Sequence, residues 1–212
     1  MKNRNTSMKM LFTSLCALLV SLTALTARAQ TVTVTVPPHD AFYSNGHEAP
    51  AFLNILAASF TVSDTLTFTV DVAGSLDALP DPPGSGGEFF WHFGLDTDPS
   101  TDPPGFPEPP GVAASPEFTV DALWDGTAFS GEFLDRRPAL TDGSALLYSI
   151  PVSVSGSRIT LTVPAALAAQ VQPLPGATWN LRTGWNNTYL LGHGTDAIHH
   201  ADSLPSRQPW PQ

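Results

Sequence analysis

Four oxygen-bearing residues at every second position, Asp96, Asp98, Ser100 and Asp102, are the first candidates for chemistry in this chain. They lie in "FFWHFGLDTDPSTDPPG", residues 89–105, where Phe89, Trp91, Phe93 and Leu95 alternate with other residues before the acidic run begins. Calcium takes about six to eight hard oxygen ligands, and this spacing copies the start of an EF-hand loop. The sixth position of such a loop is Thr101 rather than Gly, and the twelfth is Pro107 rather than Glu. A complete EF-hand is therefore excluded. Two readings stay open: a structural Ca²⁺ loop, or a strand end whose carboxylates cap backbone N–H groups in an Asp/Ser/Pro turn.

Two further groups carry candidate chemistry. His193, His199 and His200 stand with Asp196 and Asp202 in "GHGTDAIHHADS", and neutral imidazole is a good transition-metal ligand. Their spacing fits no zinc-protease pattern, and a solvated loop is the competing reading. Trp91, Trp124, Trp179, Trp185 and Trp210 are many for this length. An exposed indole offers a flat platform for a sugar ring, so Trp179 and Trp185, with Arg182 or Asn180 supplying hydrogen bonds, form the candidate carbohydrate site. Against this, Trp179 and Trp185 share a strand face with Leu181, the pattern of a core face. For catalysis there is no G-x-S-x-G nucleophile elbow, and an acid pair such as Glu132 and Asp135 is unspecific.

Composition narrows the classes. Residues 1–29 read as an export signal: Lys2, Arg4 and Lys9, an apolar run from Leu11 to Leu25, then Ala27-Arg28-Ala29 before Gln30. Cleavage after Ala29 places the mature chain in the periplasm, the cell envelope or the medium. The signal holds both Lys, all three Met and the single Cys. The mature chain then has nineteen acidic residues against five arginines, a net charge of −14. It can have no Schiff-base or phosphate-loop lysine, no cysteine nucleophile and no thiolate metal site. A nucleotide is not expected, nor is a haem with a methionine ligand. Such an acidic chain is repelled by nucleic acid and anionic membranes. No transmembrane segment is expected in the mature chain. An exported domain without cysteine suggests a bacterial setting.

The elements that must position these residues alternate with period two. "TVTVTV" (31–36), "TLTFTVDV" (65–72) and "RITLTV" (158–163) each place Val, Leu, Ile or Phe on one face and mostly Thr on the other. "EFTVDALWDGTAFSGEF" predicts a hairpin at Asp125-Gly126, with positive φ at both central positions. "YSIPVSVSGSRITLTV" predicts another at Ser155-Gly156, with Pro151 marking an edge or a bulge. Further strands are expected at 52–61, 88–95 and 178–185, and a short helical turn over Pro164 to Gln170. The expected fold is all-β, an antiparallel two-sheet sandwich of jelly-roll or immunoglobulin-like kind. Residues 30–48 read as an N-terminal strand and linker, 49–205 as the domain, and 206–212 as a tail.

"APAFLNILAASFTVSDTLTFTVDVAG" followed by "FFWHFGLDTDPSTDPPG", then "FTVDALWDG", "VSGSRITLTV", "VPAAL" and "TDAIHHADSLP", resembles a sandwich module of secreted bacterial proteins. It is similar to family 9 carbohydrate-binding modules and DOMON domains over residues 49–205. The resemblance implies a non-catalytic module that binds a carbohydrate or cell-envelope polymer. The alternative is a structural module that meets an envelope protein through its Pro-rich loops. The calcium reading predicts that millimolar Ca²⁺ raises the melting temperature and EDTA lowers it. A melting curve that neither reagent moves would contradict it.

Overall fold

The computed structural model describes residues 29–37, 41, 48–83, 86–101, 116–137, 145–187, 198–204 and 206–212. Their strands are β1 (Gln30–Thr35), β2 (Ile55–Val62), β3 (Leu66–Val72), β4 (Gly87–Asp96), β5 (Phe118–Trp124) and β6 (Phe129–Asp135). The second half adds β7 (Leu146–Ile150), β8 (Val152–Ser155), β9 (Arg158–Val163), β10 (Thr178–Asn187), β11 (Ile198–Ser203) and β12 (Gln208–Pro209). The smaller sheet runs β1-β2-β3-β9-β8. The larger runs β11-β10-β4-β5-β6-β7, with β12 continuing the β11 edge beside β10. Every pairing is antiparallel. The protein is therefore an all-β antiparallel sandwich. One α-helical turn, α1 (Ala165–Ala168), begins after Pro164. Among the described residues no helix is long and apolar enough to cross a membrane.

The two sheets are held together by aromatic rings that period-two alternation turns inward. Phe60 and Phe68 of the smaller sheet stack with centroids 4.4 Å apart. Phe68 meets Phe93 of β4 at 5.0 Å, and Phe60 meets Trp179 of β10 at 6.0 Å. Trp210, in the segment expected to be a tail, packs edge-on against Phe60 at 4.8 Å. That segment is fastened by Trp179 Nε1, which donates to Pro209 O, and by Trp210 N, which donates to Ala177 O. β1 likewise belongs to the sandwich, with Val32 and Val34 packed on the core.

Two local features differ from the pattern read in the sequence, and a third carries it further. The strand expected from residue 52 begins at Ile55, because Ala51–Leu53 forms a 3-10 turn that buries Phe52 and Leu53. At the β5–β6 hairpin only Gly126 has positive φ. Trp124 pairs with Phe129 across a four-residue loop, and Asp125 Oδ1 accepts from the N–H groups of Thr127 and Ala128. The side chain thus closes the turn that two left-handed residues were expected to close. Pro151 does mark an edge: β7 and β8, which it joins, are the edge strands of their two sheets. It stands where the chain leaves β7 in the larger sheet and enters β8 in the smaller one. A residue without an N–H is tolerated at such an edge, and its carbonyl still accepts from Thr162 N at 3.1 Å.

Phe68 touches rings from both sheets and is fully buried. Phe68→Ala should cost about 3–5 kcal/mol in urea unfolding followed by Trp fluorescence. A loss below about 1 kcal/mol would contradict an aromatic core shared by both sheets.

Candidate functional site

The inward residues of β4 are Phe89, Trp91, Phe93 and Leu95, so its outward residues include Glu88, Phe90 and His92. Antiparallel register then sets His92 beside Asp121 of β5 and beside Arg182 of β10. Asp121 in turn faces Glu132 of β6. An ionisable row, Arg182–His92–Asp121–Glu132, so crosses four adjacent strands on the outward face of the larger sheet. Phe90 pairs with Leu123 on one side of this row, and Leu134 lies on the other, opposite Thr119. Together with Glu88, Asn186 and His200 these residues line an open cleft of about 360 Å³.

The hydrogen bonds in the row are directional. His92 Nδ1 and Asp121 Oδ1 are 2.5 Å apart. A carboxylate only accepts, so the ring proton sits on Nδ1. That leaves Nε2 as an acceptor toward Arg182 Nη2, a longer contact of 3.4 Å. Asp121 Oδ2 accepts from Thr119 Oγ1 at 3.0 Å. The imidazole is thereby oriented from both ends, as a positioned binding group requires.

The carboxyls of the cleft are under strain of charge. Burial pushes the Glu132 carboxyl above the ordinary glutamate range, and the facing Asp121 and nearby Glu88 push it further. Like charges directly opposite on neighbouring strands repel. Burial also raises Glu88; a hydrogen bond with Asn186 offsets part of this, while Asp125 and Asp121 add to it.

The residues expected to bind sugar separate across the sheet. Trp179 is fully buried on the inner face, and Trp185 is half-buried and packed on the same core. Arg182, of opposite parity, lines the cleft. The three therefore do not form one surface. Asn180 is buried as well.

The acidic loop is also divided. Asp96 is buried, with its Oδ2 accepting from Arg207 Nη1 at 3.1 Å. Asp98 Oδ1 accepts from Ser100 N at 3.1 Å and from Ser100 Oγ, the geometry of a capping turn. Asp102 lies outside the described residues. Glu117, which the motif did not include, is buried beside the loop. Its Oε2 accepts from Thr97 N at 2.7 Å, Thr97 Oγ1 at 3.1 Å and Asp98 N at 3.4 Å. Among the described residues no three His, Cys, Asp or Glu side chains converge as metal ligands.

Of the histidine group, His193 and Asp196 lie outside the described residues. Residues 198–203 form β11 rather than a solvated loop. Within it His200 reaches the cleft, in edge contact with the Phe90 ring at 5.9 Å. Asp202 Oδ2 accepts from Ile55 N at 2.7 Å, tying β11 to the start of β2.

Reasoning along the chain did not single out Glu88, His92, Asp121 or Asn186, nor connect Glu132 to them. One signal for them was present. The outward positions of β3 and β9 are mostly Thr, whereas those of β4, β5, β6 and β10 include Glu88, His92, Asp121, Glu132 and Arg182. No protein-family model, curated protein or solved structure matches the chain.

A glutamate whose folded-state pKa is raised favours folding only while it is protonated. Its contribution is greatest below the unfolded value and is lost as pH rises through the folded value. Glu132→Gln should therefore raise the melting temperature near neutral pH. The advantage should shrink as pH falls below the ordinary glutamate range. A variant less stable than the parent at neutral pH would contradict the charge crowding described for this row.

Proposed function

We propose that the chain is a non-catalytic binding module that holds a carbohydrate or cell-envelope polymer on the outward face of its larger sheet. One observation carries this reading: the ionisable row Arg182–His92–Asp121–Glu132 lies across four strands, bordered by the apolar side chains of Phe90, Leu123 and Leu134 in an open cleft. Polyhydroxylated chains are recognised by that combination. Their hydroxyls donate charge-assisted hydrogen bonds to carboxylates and accept them from guanidinium, while their C–H faces rest on apolar surface. Neighbouring strands are about 4.8 Å apart, so the row from β10 to β6 spans about 14 Å. The groups stand on paired strands rather than on loops, which limits the reorganisation that binding would cost.

The site differs from the tryptophan platform expected at first, and the proposal rests on the cleft alone. A glycan array should return a binder for the wild-type protein. The double variant Asp121→Asn/Glu132→Gln should lose at least about tenfold in affinity with its melting curve still cooperative. An array without any binder, or a double variant that binds as tightly as the wild type, would contradict the proposal.

A further inference from the structure

The charge of the cleft is one-sided. Among its described lining residues Arg182 is the only lysine or arginine, and its Nη2 is turned to His92 Nε2. His92 Nδ1 is taken up by Asp121. The side-chain amide of Asn186 bonds Glu88, while the Asn186 Oδ1 atom is buried and meets no partner among the described residues. Three carboxyls, Glu88, Asp121 and Glu132, line the same space. With His200 the only other ionisable group of the lining, three carboxyls stand against one guanidinium, and the fixed charge of the cleft is negative. A ligand that completes this site brings N–H donors and positive charge.

From this geometry we infer that the cleft takes a glycan bearing free amino groups, an amino-sugar polymer in its ammonium form, rather than a neutral or uronic-acid chain. The inference rests on the binding reading above and narrows it. An ammonium group carries three donors. Between Glu132 and Asp121 it would relieve the repulsion of two carboxylates facing each other across neighbouring strands. Leu123, with the little of the largely buried Phe90 that is exposed, supplies the apolar strip against which the sugar ring lies. A uronic-acid chain would instead set its carboxylates against three of the protein's own, with a single guanidinium, Arg182, to offset them. An N-acetylated chain would lose the charge and two of the three donors at each nitrogen.

The test uses isothermal titration of the mature protein with three soluble oligomers of equal length. These are a glucosamine oligomer, its N-acetylated form and a galacturonic-acid oligomer. At about pH 6 the free amines are largely charged. The glucosamine oligomer should bind, and added salt should weaken that binding several-fold as the charges are screened. Glu132→Gln and Glu88→Gln should each lower the affinity about tenfold. Both substitutions remove a crowded charge, so a misfolded variant is not expected, and the melting curve verifies this. If the N-acetylated or uronic-acid oligomer binds as tightly as the amine, the inference is overturned while the glycan-binding reading stands. If none of the three binds, the inference is likewise overturned, and the glycan array decides whether the broader reading falls with it.

Discussion

The side-chain alternation of β4 (Gly87–Asp96) is the constraint on which the rest of the structure depends. This strand lies inside the larger sheet, paired with β10 on one side and β5 on the other. Its odd-numbered positions from Phe89 to Leu95 carry four large apolar groups, and burying them fixes the register absolutely. A slip of one residue would expose Phe89, Trp91, Phe93 and Leu95 and bury Glu88 and His92. Trp91 is further held by donating its indole N–H to Phe52 O at 3.2 Å. The same choice that fills the core therefore decides which groups face the cleft. Core and candidate site are two faces of one strand.

The two sheets spend their outward faces differently. On the smaller sheet Thr67, Thr69, Thr160 and Thr162 meet solvent beside an Asp71–Arg158 pair whose charges cancel. On the larger sheet the outward face gathers carboxyls that repel one another and resist ionisation. A sheet selected only for stability has no use for Asp121 opposite Glu132. Local features that work against folding, in a protein otherwise consistent from propensity to packing, are where function is expected. That contrast between the two faces is the physical reason for reading the larger one as the working surface.

Much of the fold was legible along the chain because its strands have a wet face. Leu66 to Val72 and Arg158 to Val163 alternate almost without exception, and both appear as strands at those bounds. The edges were harder to read. Residues 198–203, "IHHADS", lack the alternation of a half-buried strand, and their pairing with β10 carries an irregularity between Thr183 and Gly184. The terminal Gln208–Pro209 pairing depends on Trp179 and Trp210, far apart in the chain. Pro151 signalled a disruption, but its service as the corner between sheets needed both sheets in view. The candidate site was illegible for a related reason. His92, Asp121, Glu132 and Arg182 lie on four strands, and only the order β10-β4-β5-β6 makes them neighbours. The tryptophans drew notice by their number, whereas parity turns Trp179 and Trp185 to the inside.

The most direct measurement is nuclear magnetic resonance of isotope-labelled protein during titration with a bound oligosaccharide. The account predicts that the largest shift changes fall on outward groups of the larger sheet: Glu88, His92, Asp121, Glu132 and Arg182. The threonine face of the smaller sheet should stay unmoved. Shifts centred on Thr67, Thr69, Thr160 and Thr162, or on the 96–101 loop, with the cleft silent, would contradict it.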